Sequence, residues 1–549
     1  MLAACRLNDG RTERDPQMLP STASIMQPGG SQNPHFMGTP AAVAQTPTMA
    51  IPHGMTLVTP EPVPLTPPPS NLQMARPSRP WRMYGRIVGL VILLFLFEML
   101  LFYGWGLSIY GEPLYGAVSL IFAIPVMLGI IAMRRPRAVL LERAVPDSNG
   151  QQLHAITSQA GSLQTPMPTR LDRHLMRDDS VLDVPSSTAA WIVFAVTVFC
   201  SGGLWYMLYV GDIGAQIIAT LLLIPAIIIG FSIPVMGWWS HSTKRIGLPT
   251  RRRDAEAWLI AGVLSAIPAL FINSIIFPEI IFLFSPNISL TGLERLGAVI
   301  SAPVGEELCK AGAIWFFSSK IKSPKHGFQI GFTVGLGFAI LENLMYIVGT
   351  AGFPLNMLIR GIGSIPGHAV WTGMTGAAMG WVLMRRRATE LQRAAEIGLQ
   401  IKPPEDQDTQ WKLIDQKSGQ VIETPGQFVE SGVSVGASGV EIWTPSEAII
   451  QKEPWIKIPL PENIGLGLAL AMMGHASWNG LLTIFEIFAE NLGMSDLSVV
   501  ILSLMLTVMM IAAVLIIGTG LLHSVRAAPD GSEVDEYQSQ LAALTQQNF

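Results

Sequence analysis

Four short stretches of the sequence combine acids, histidines and an amide at spacings that a helix would bring onto one face. Their chemically useful side chains are Glu306, Glu307, Lys310, Glu342, His368, His475 and Asn479. Two adjacent carboxylates resist double ionisation, which suits one of them to general-base work. Lys310 follows the acid pair by three and four residues, so on a helix it can neutralise part of their charge. His475 and Asn479 are one helical turn apart and can position a water molecule or donate to a developing oxyanion.

These stretches lie in a chain that is too apolar for an ordinary soluble protein. Of its 549 residues, 50% are hydrophobic and only 13% are charged, about half of the ~25% typical of soluble domains. Apolar stretches of about 20 residues recur, which is the length of a helix that crosses a ~30 Å hydrocarbon core. The net charge of −4 is too small to suggest a nucleic-acid partner. The composition therefore predicts an all-α polytopic membrane protein in a lipid bilayer.

Hydropathy predicts ten transmembrane helices, and the distribution of basic residues supports this number. Lys and Arg cluster on alternate loops, as the positive-inside rule predicts for cytoplasmic loops. We therefore expect an integral, multi-pass protein of the plasma membrane whose N- and C-termini are both cytoplasmic. The predicted spans are 86–107, 113–133, 188–210, 214–238, 255–277, 297–319, 327–349, 355–384, 463–489 and 497–522.

Composition also predicts the organisation of the chain. The first 80 residues are rich in proline and predict a disordered cytoplasmic tail. The polar residues 134–187 predict a partly ordered loop. Alternation at Leu413-Ile414 and Val421-Ile422 predicts a small β-containing cytoplasmic insertion. The expected segments are the tail (1–80), four helices with the loop (81–254), a first membrane core part (255–384), the insertion (385–462), a second core part (463–526) and a cytoplasmic C-terminal tail (527–549).

Depth in the membrane makes the four stretches one set. At a rise of 1.5 Å per residue, Glu306, Glu342, His368 and His475 all fall near the middle of their predicted spans. Ionisable side chains are costly there and normally face a polar interior, so we expect these residues to meet in one functional site. For Glu98, alone in the first span, an interhelical hydrogen bond is the simpler expectation.

The four stretches also form an ordered set of motifs that resembles a known family. They are E-E-x-x-K (Glu306–Lys310), G-F-A-x-x-E-N-x-x-Y (Gly337–Tyr346), G-H-A-x-x-T-G (Gly367–Gly373) and H-x-x-x-N (His475–Asn479). In this order, over about residues 255–490, they resemble the PrsW family of intramembrane proteases, which is similar in turn to the CAAX-prenyl endopeptidases. Two departures from the CAAX-prenyl pattern favour the PrsW family. The sequence has Lys310, where those enzymes have an Arg one position further on, and it has Ser364, where they have an aromatic residue.

The resemblance implies peptide hydrolysis within the membrane, with Glu306, Glu307, Glu342, His368, His475 and Asn479 as catalytic residues. In a metal-free mechanism, Glu306 deprotonates a water that His368 helps to orient, and His475 and Asn479 stabilise the oxyanion. In a metal mechanism, two histidines and one carboxylate bind Zn²⁺, and another glutamate is the base. Glu342 is then the expected third ligand. The residues leave both mechanisms open.

The resemblance further implies a membrane-anchored protein substrate, such as an anti-sigma factor cut near its membrane segment. Two other functions remain compatible with the residues. Midplane acids and histidines also occur in proton-coupled secondary transporters, and the tail and insertion would suit a non-catalytic membrane scaffold. Other protease signatures are weaker: Gly436–Gly439 spells G-x-S-G but lies in the insertion, where it predicts a turn. Cys309, beside the acids, is expected to be a structural thiol.

Overall fold

The computed structural model describes most of the membrane region and short pieces of the insertion. The described residues are 65–68, 78–109, 111–135, 138–156, 161–177, 180–248, 250–349, 353–396, 413–414, 421–422, 433–435, 441–443 and 456–531. The predicted disordered tail, the G-x-S-G stretch and the C-terminal tail lie wholly or almost wholly outside them. The chain divides into two compact units, one of which contains residues 146–169 while the other contains all the membrane helices.

The described part of the chain contains fourteen α-helices. They are α1 (Pro80–Ile109), α2 (Pro113–Arg134), α3 (Ser187–Val210), α4 (Ile213–Ile246), α5 (Arg252–Leu264), α6 (Ala266–Phe271), α7 (Phe277–Phe284), α8 (Leu290–Leu296), α9 (Ala302–Trp315), α10 (Pro324–Gly349), α11 (Pro354–Ile359), α12 (Ile365–Glu396), α13 (Ile464–Asn491) and α14 (Asp496–Ala527). Polar side chains cap several of them; Asp212, for example, accepts a hydrogen bond from the backbone of Ala215 at the start of α4.

The predicted fold class of a helical, polytopic membrane protein is confirmed. Within the described residues, eight helical stretches are long and apolar enough to cross a membrane: α1, α2, α3, α4, the stretch from α5 to α7, α10, α13 and α14. The other two predicted spans, 297–319 and 355–384, are also largely helical, in α9 and in α11 and α12. These two carry most of the predicted polar residues, and the number of ten spans stays a prediction.

Among the described residues, three two-stranded sheets lie outside the membrane helices. Strands β3 (Leu413–Ile414) and β4 (Val421–Ile422) pair antiparallel, as do β5 (Val433–Val435) and β6 (Glu441–Trp443). The predicted β-containing insertion is therefore confirmed.

The loop predicted at 134–187 contains a pair of strands that the sequence did not indicate. Strands β1 (Ala138–Ile156) and β2 (Gly161–Arg177) pair there in a third sheet. Within the smaller unit, the ring of the buried His154 makes a 2.6 Å hydrogen bond to Thr169 across this sheet. Prolines and a D-S-N-G stretch inside the strands interrupt the alternation that would have indicated them.

Helix α10 is the central element of the membrane region. Its apolar stretch is 83% buried, whereas the other candidate spans are between 11% and 44% buried. Glycines let its neighbours approach closely, as is common between membrane helices. A Cβ atom at Gly335 would lie 2.4 Å from the carbonyl oxygen of His368 in α12, and one at Gly337 would lie 2.1 Å from that of Leu259 in α5. These contacts place α12 and α5 directly against the helix that carries Glu342.

Basic residues that the positive-inside rule places on one side meet in the structure. Glu256 near the start of α5 forms ion pairs with Arg86 at the start of α1 and Arg134 at the end of α2, at 2.8 and 3.6 Å. Lys320, just after α9, pairs with Asp254 at 3.2 Å. These helix ends therefore lie at one level, in agreement with the predicted alternation of loops.

Candidate active site

Helix α9 contributes a lysine that joins three of the predicted site residues. The Lys310 Nζ lies 2.7 Å from Glu307 Oε1 and 3.4 Å from Glu306 Oε2, both on its own helix. It also lies 2.9 Å from Nδ1 of His368 in α12 and 3.8 Å from the centre of the Phe338 ring. The Lys310 side chain is fully buried. Its ammonium thus supplies the positive charge that makes burial of the acid pair tolerable.

Each predicted histidine has one ring nitrogen held by a glutamate. Nδ1 of His475 lies 3.2 Å from Glu307 Oε1, and Nε2 of His368 lies 2.7 Å from Glu342 Oε2. An ionised carboxylate only accepts hydrogen bonds, which favours the tautomers with the hydrogen on these two nitrogens. The lone pairs therefore lie on His475 Nε2, which is 3.8 Å from Glu306 Oε2, and on His368 Nδ1, which accepts from Lys310.

Aromatic packing fixes the orientation of the two imidazole rings. The His368 and His475 rings meet edge to face with centres 4.8 Å apart. Trp371 of α12 stacks on His475 of α13, with ring centres 5.4 Å apart and planes at 14°. Gly474 makes room for this indole, since a Cβ atom there would lie 2.4 Å from Trp371 Nε1. The pattern G-H-A-x-W-x-G occurs twice, at Gly367–Gly373 and at Gly474–Gly480. The tryptophan of the first stretch thus supports the histidine of the second.

Glu306, His368 and His475 form a group that can hold a metal ion. One donor atom from each residue lies within 4.8 Å of the others, and all three side chains are buried. Two imidazoles and one carboxylate are a common ligand set of catalytic zinc, which keeps a further position for water. The glutamates behind the two imidazoles match the outer partners that orient histidine ligands in metal sites. The donor chemistry therefore fits zinc.

Proline explains the local backbone from which two of these residues project. In the part of the chain that the structure describes, three π-helical turns interrupt the membrane helices. Each is followed two residues later by a proline: Ile272–Ile276 by Pro278, Gly297–Ser301 by Pro303 and Arg360–Ser364 by Pro366. Proline has no backbone N–H to donate to the preceding turn. Insertions of this kind are frequent at functional sites. Glu306 lies three residues after Pro303, and His368 lies two residues after Pro366.

For Pro303 and Pro366, a side chain from another helix donates to the carbonyl that the proline leaves unpaired. In the π-helical turn before Pro303, the backbone N–H of Ala302 donates to the carbonyl of Gly297, five residues earlier. The carbonyl of Ala298 would pair with residue 303 in the same way, but Pro303 has no N–H. The Asn479 amide donates to the Ala298 carbonyl instead, at 3.1 Å. In the same way, Trp238 Nε1 donates to the carbonyl of Gly361, five residues before Pro366, at 2.9 Å. Asn479 thus contacts the backbone ahead of Glu306. A side-chain amide has two N–H groups, and this contact uses one of them. The other remains for a substrate oxyanion, so the oxyanion role of Asn479 stays a prediction.

Arg360 is a site residue that the sequence reasoning missed. Its Nη2 lies 2.9 Å from Glu342 Oε2, its Nε donates to Asn343 Oδ1 at 2.6 Å, and its guanidinium lies 4.0 Å from the centre of the Tyr346 ring. The structure thus places Glu342, the expected third metal ligand, between Arg360 and His368. A signal was present, because an arginine inside the predicted span 355–384 is as costly as a buried acid.

The structure also places the remaining predicted residues. Thr372 donates to Glu307 Oε2 at 3.3 Å, so both oxygens of Glu307 have partners. Cys309 is partly buried and packs against the hydrophobic core, in agreement with a structural thiol. Glu98 is buried, but its Oε1 has no hydrogen-bond partner among the described residues. The interhelical hydrogen bond expected for Glu98 is therefore not found for that oxygen.

Comparison with known proteins agrees with this geometry. The family model described as PrsW family intramembrane metalloprotease matches residues 255–400. The match runs from α5 to just beyond α12 and includes Glu306, Glu342 and His368, whereas His475 and Asn479 follow it in the chain. No curated protein and no solved structure matches the chain significantly. The predicted resemblance is confirmed, and it supports an intramembrane protease, a hydrolase, in a multi-pass integral membrane protein.

Proposed function

We propose that this chain, which matches the PrsW family of intramembrane metalloproteases over residues 255–400, is an endopeptidase for membrane-anchored proteins. It would hydrolyse a peptide bond in or near the membrane segment of its substrate. The observation that carries the proposal is the buried group of Glu306, His368 and His475, whose donor atoms lie within 4.8 Å of one another. Such a group is expensive to place among apolar helices, which favours a functional role.

Without a metal, the chain's own side chains account for the hydrolysis of a peptide bond. Glu306 accepts a proton from a water molecule, and His368 helps to orient that water once its Nδ1 exchanges the Lys310 ammonium for the water. The second N–H of Asn479 donates to the oxyanion that forms on the substrate carbonyl, and His475 donates to it as the imidazolium, whose Nε2 also carries a proton. Glu307 supports His475 throughout, since it holds the Nδ1 side of that ring.

The same group fits a metal mechanism, in which Glu306, His368 and His475 would hold zinc. Bound there, zinc would polarise the scissile carbonyl and make a bound water more acidic. Glu307 and Glu342 then keep the two imidazoles oriented through their outer nitrogens. Arg360 neutralises Glu342 and so keeps that carboxylate directed at His368. The two mechanisms differ in the role of Glu306, which is the base in one and a ligand in the other.

The substrate class and the orientation follow from the resemblance and the charge pattern. We propose a membrane-anchored regulatory protein, of the anti-sigma type, as substrate. We also propose a plasma-membrane protein with cytoplasmic termini and a cytoplasmic insertion at 385–462, because basic residues cluster on alternate loops. The ion pairs of Arg86 and Arg134 with Glu256 support this arrangement, since they join helix ends that the pattern places on one side.

A comparison of membrane-protein fragments in cells tests the proposal. Glu306→Gln and His475→Ala should each abolish a set of cleavage products and cause the intact substrate to accumulate. Glu486→Gln is the matched control, because Glu486 lies on the same helix as His475 but is exposed. Identical fragments in wild type and Glu306→Gln would refute the protease, and a change in solute uptake with unchanged fragments would indicate a transporter.

The metal content of the purified full-length chain separates the two mechanisms. The metal mechanism predicts about one zinc ion per chain in wild type and almost none in His368→Ala, measured by elemental mass spectrometry. Cleavage should then stop on treatment with a strong chelator and return when zinc is added. An active wild-type protein without stoichiometric metal would support the metal-free mechanism and leave the protease proposal intact.

A further inference from the structure

A second buried feature lies beside the central helix α10. An apolar cavity of about 270 Å³ is enclosed by α1, α2, α6 and α10, and its wall includes Phe102, Leu120, Phe271 and Met345. Among the described residues, Glu98 of α1 is the one charged side chain in this wall. The described wall of this cavity contains none of Glu306, Glu342, His368 and His475, although Met345 lies one helical turn after Glu342 on α10.

The carboxyl group of Glu98 is in an unusual environment. The residue is only 5% exposed, and its Oε1 has no hydrogen-bond partner within the part of the chain that the structure describes. A buried polar group without a partner costs free energy that a hydrogen-bonding ligand would recover. The oxygen lies at an otherwise apolar cavity, so a ligand there can both fill the space and bond to Glu98.

The walls define the chemistry of such a ligand. A charged head group would need several buried partners, and the wall supplies Glu98 alone. A hydroxyl group can donate and accept, so it matches a carboxyl group whether or not that group is ionised. The volume is less than twice that of the ~150 Å³ cavity known to hold benzene, which limits the apolar body to one ring or a short alkyl chain.

The position of the opening indicates where the ligand comes from. Trp105 of α1 and Leu120 of α2 line the cavity, and each is 40% exposed. Both helices are candidate membrane spans, so this rim faces lipid. We infer that the cavity is a binding site for a small, uncharged, hydroxyl-bearing amphiphile that enters from the bilayer and hydrogen-bonds to Glu98. This inference is independent of the proposed protease function.

Photolabelling of the full-length protein in lipid nanodiscs tests the inference. The probe is 1-octanol that carries a diazirine, and the control is the diazirine-bearing octane of the same length. Peptide mapping should find octanol adducts on α1 and α10 near Met99 and Met345, at about ten times the level of the octane, because one hydrogen bond of ~1.4 kcal/mol is a factor of ten.

Two substitutions of Glu98 separate the hydrogen bond from the fold. Glu98→Leu should reduce octanol labelling about tenfold, to the level of the octane, whereas Glu98→Gln, which still bonds to a hydroxyl, should retain most of it. Equal labelling by octanol and octane, unchanged labelling in Glu98→Leu, or adducts only outside the cavity would each overturn the inference. If Glu98→Leu fails to fold, the Glu98→Gln variant and the octane comparison still decide.

Discussion

Replacing Asn479 by alanine asks whether its amide serves the backbone or the reaction. The amide donates at 3.1 Å to the Ala298 carbonyl, which Pro303 cannot reach with a hydrogen bond. Interhelical hydrogen bonds in membrane proteins contribute about 0.6 kcal/mol on average and up to ~1.7 kcal/mol. Because the substitution also leaves a partly buried carbonyl unpaired, we expect Asn479→Ala to lower the free energy of unfolding by about 1.5 kcal/mol, near the upper limit.

A double-mutant cycle with Pro303→Ala identifies the origin of this loss. Alanine at position 303 restores a backbone N–H that can donate to the preceding turn. In the Pro303→Ala background, Asn479→Ala should lower the free energy of unfolding by less than about 0.5 kcal/mol. The Ala298 carbonyl then has a backbone donor, and the effects of two substitutions that share one hydrogen-bond partner are not additive. Unfolding of the purified chain in mixed detergent micelles, followed by circular dichroism, measures both values. Ser477→Ala, an exposed position on the same helix, is the control.

Cleavage rates complete the test of Asn479. Removal of a donor that only supports the backbone should reduce kcat less than the 10²–10³-fold typical of a lost oxyanion donor. The role of Asn479 in pairing the Ala298 carbonyl would be refuted if Asn479→Ala lowered the free energy of unfolding equally in wild type and in Pro303→Ala. A fall in kcat of about 10²-fold or more without a change in stability would instead show that the amide acts on the substrate.

Three further predictions concern residues around the site. Gly335→Ala, whose Cβ would meet a carbonyl of α12 at 2.4 Å, should destabilise the protein by about 1–3 kcal/mol and impair cleavage; Gly312→Ala, which has open space, should change the unfolding free energy by less than about 1 kcal/mol. Arg360→Met should cost about 3 kcal/mol, because it leaves Glu342 buried without its cation, and Glu342→Gln in the same chain should recover part of that loss in the same unfolding assay. Lys310→Met should tighten zinc binding at least about tenfold, since it removes a positive charge from the donor group; weaker binding in a chelator competition would contradict the metal mechanism.

The sequence could predict that the polar residues meet, because the depth of a residue in the membrane follows from its position along a predicted helix. Glu306, Glu342, His368 and His475 each lie near the middle of an apolar stretch, so the rise per residue alone places them at one level. Their cost in lipid then requires them to face inward, towards one another. Length, hydropathy and charge thus sufficed for the helical class and for the set of polar residues that meet.

The partners within the set could not be predicted, because they depend on the rotation of each helix about its axis. Glu342 was expected beside both histidines as a ligand, yet Arg360 and His368 bind the same oxygen of it. Helix rotation follows from packing details, such as the approach of Gly335 to the α12 backbone, which sequence periodicity does not resolve. Sheet pairing in 138–177 was missed for a related reason, since cross-strand contacts stabilise it more than local alternation does.

The prolines near the site link the depth of the polar residues, which the sequence predicts, to their partners, which it does not. A proline inside a membrane helix is tolerated only where another group satisfies the carbonyl that it leaves unpaired. Here, Asn479 of α13 reaches the turn before Glu306, and Trp238 of α4 reaches the turn before His368. Each of these hydrogen bonds joins a helix that carries a site residue to a second helix, at the π-helical turn that precedes that residue. The π-helical turns therefore set the register of the site, and a proline two to three residues before a buried acid or histidine is a sequence signal for such a turn.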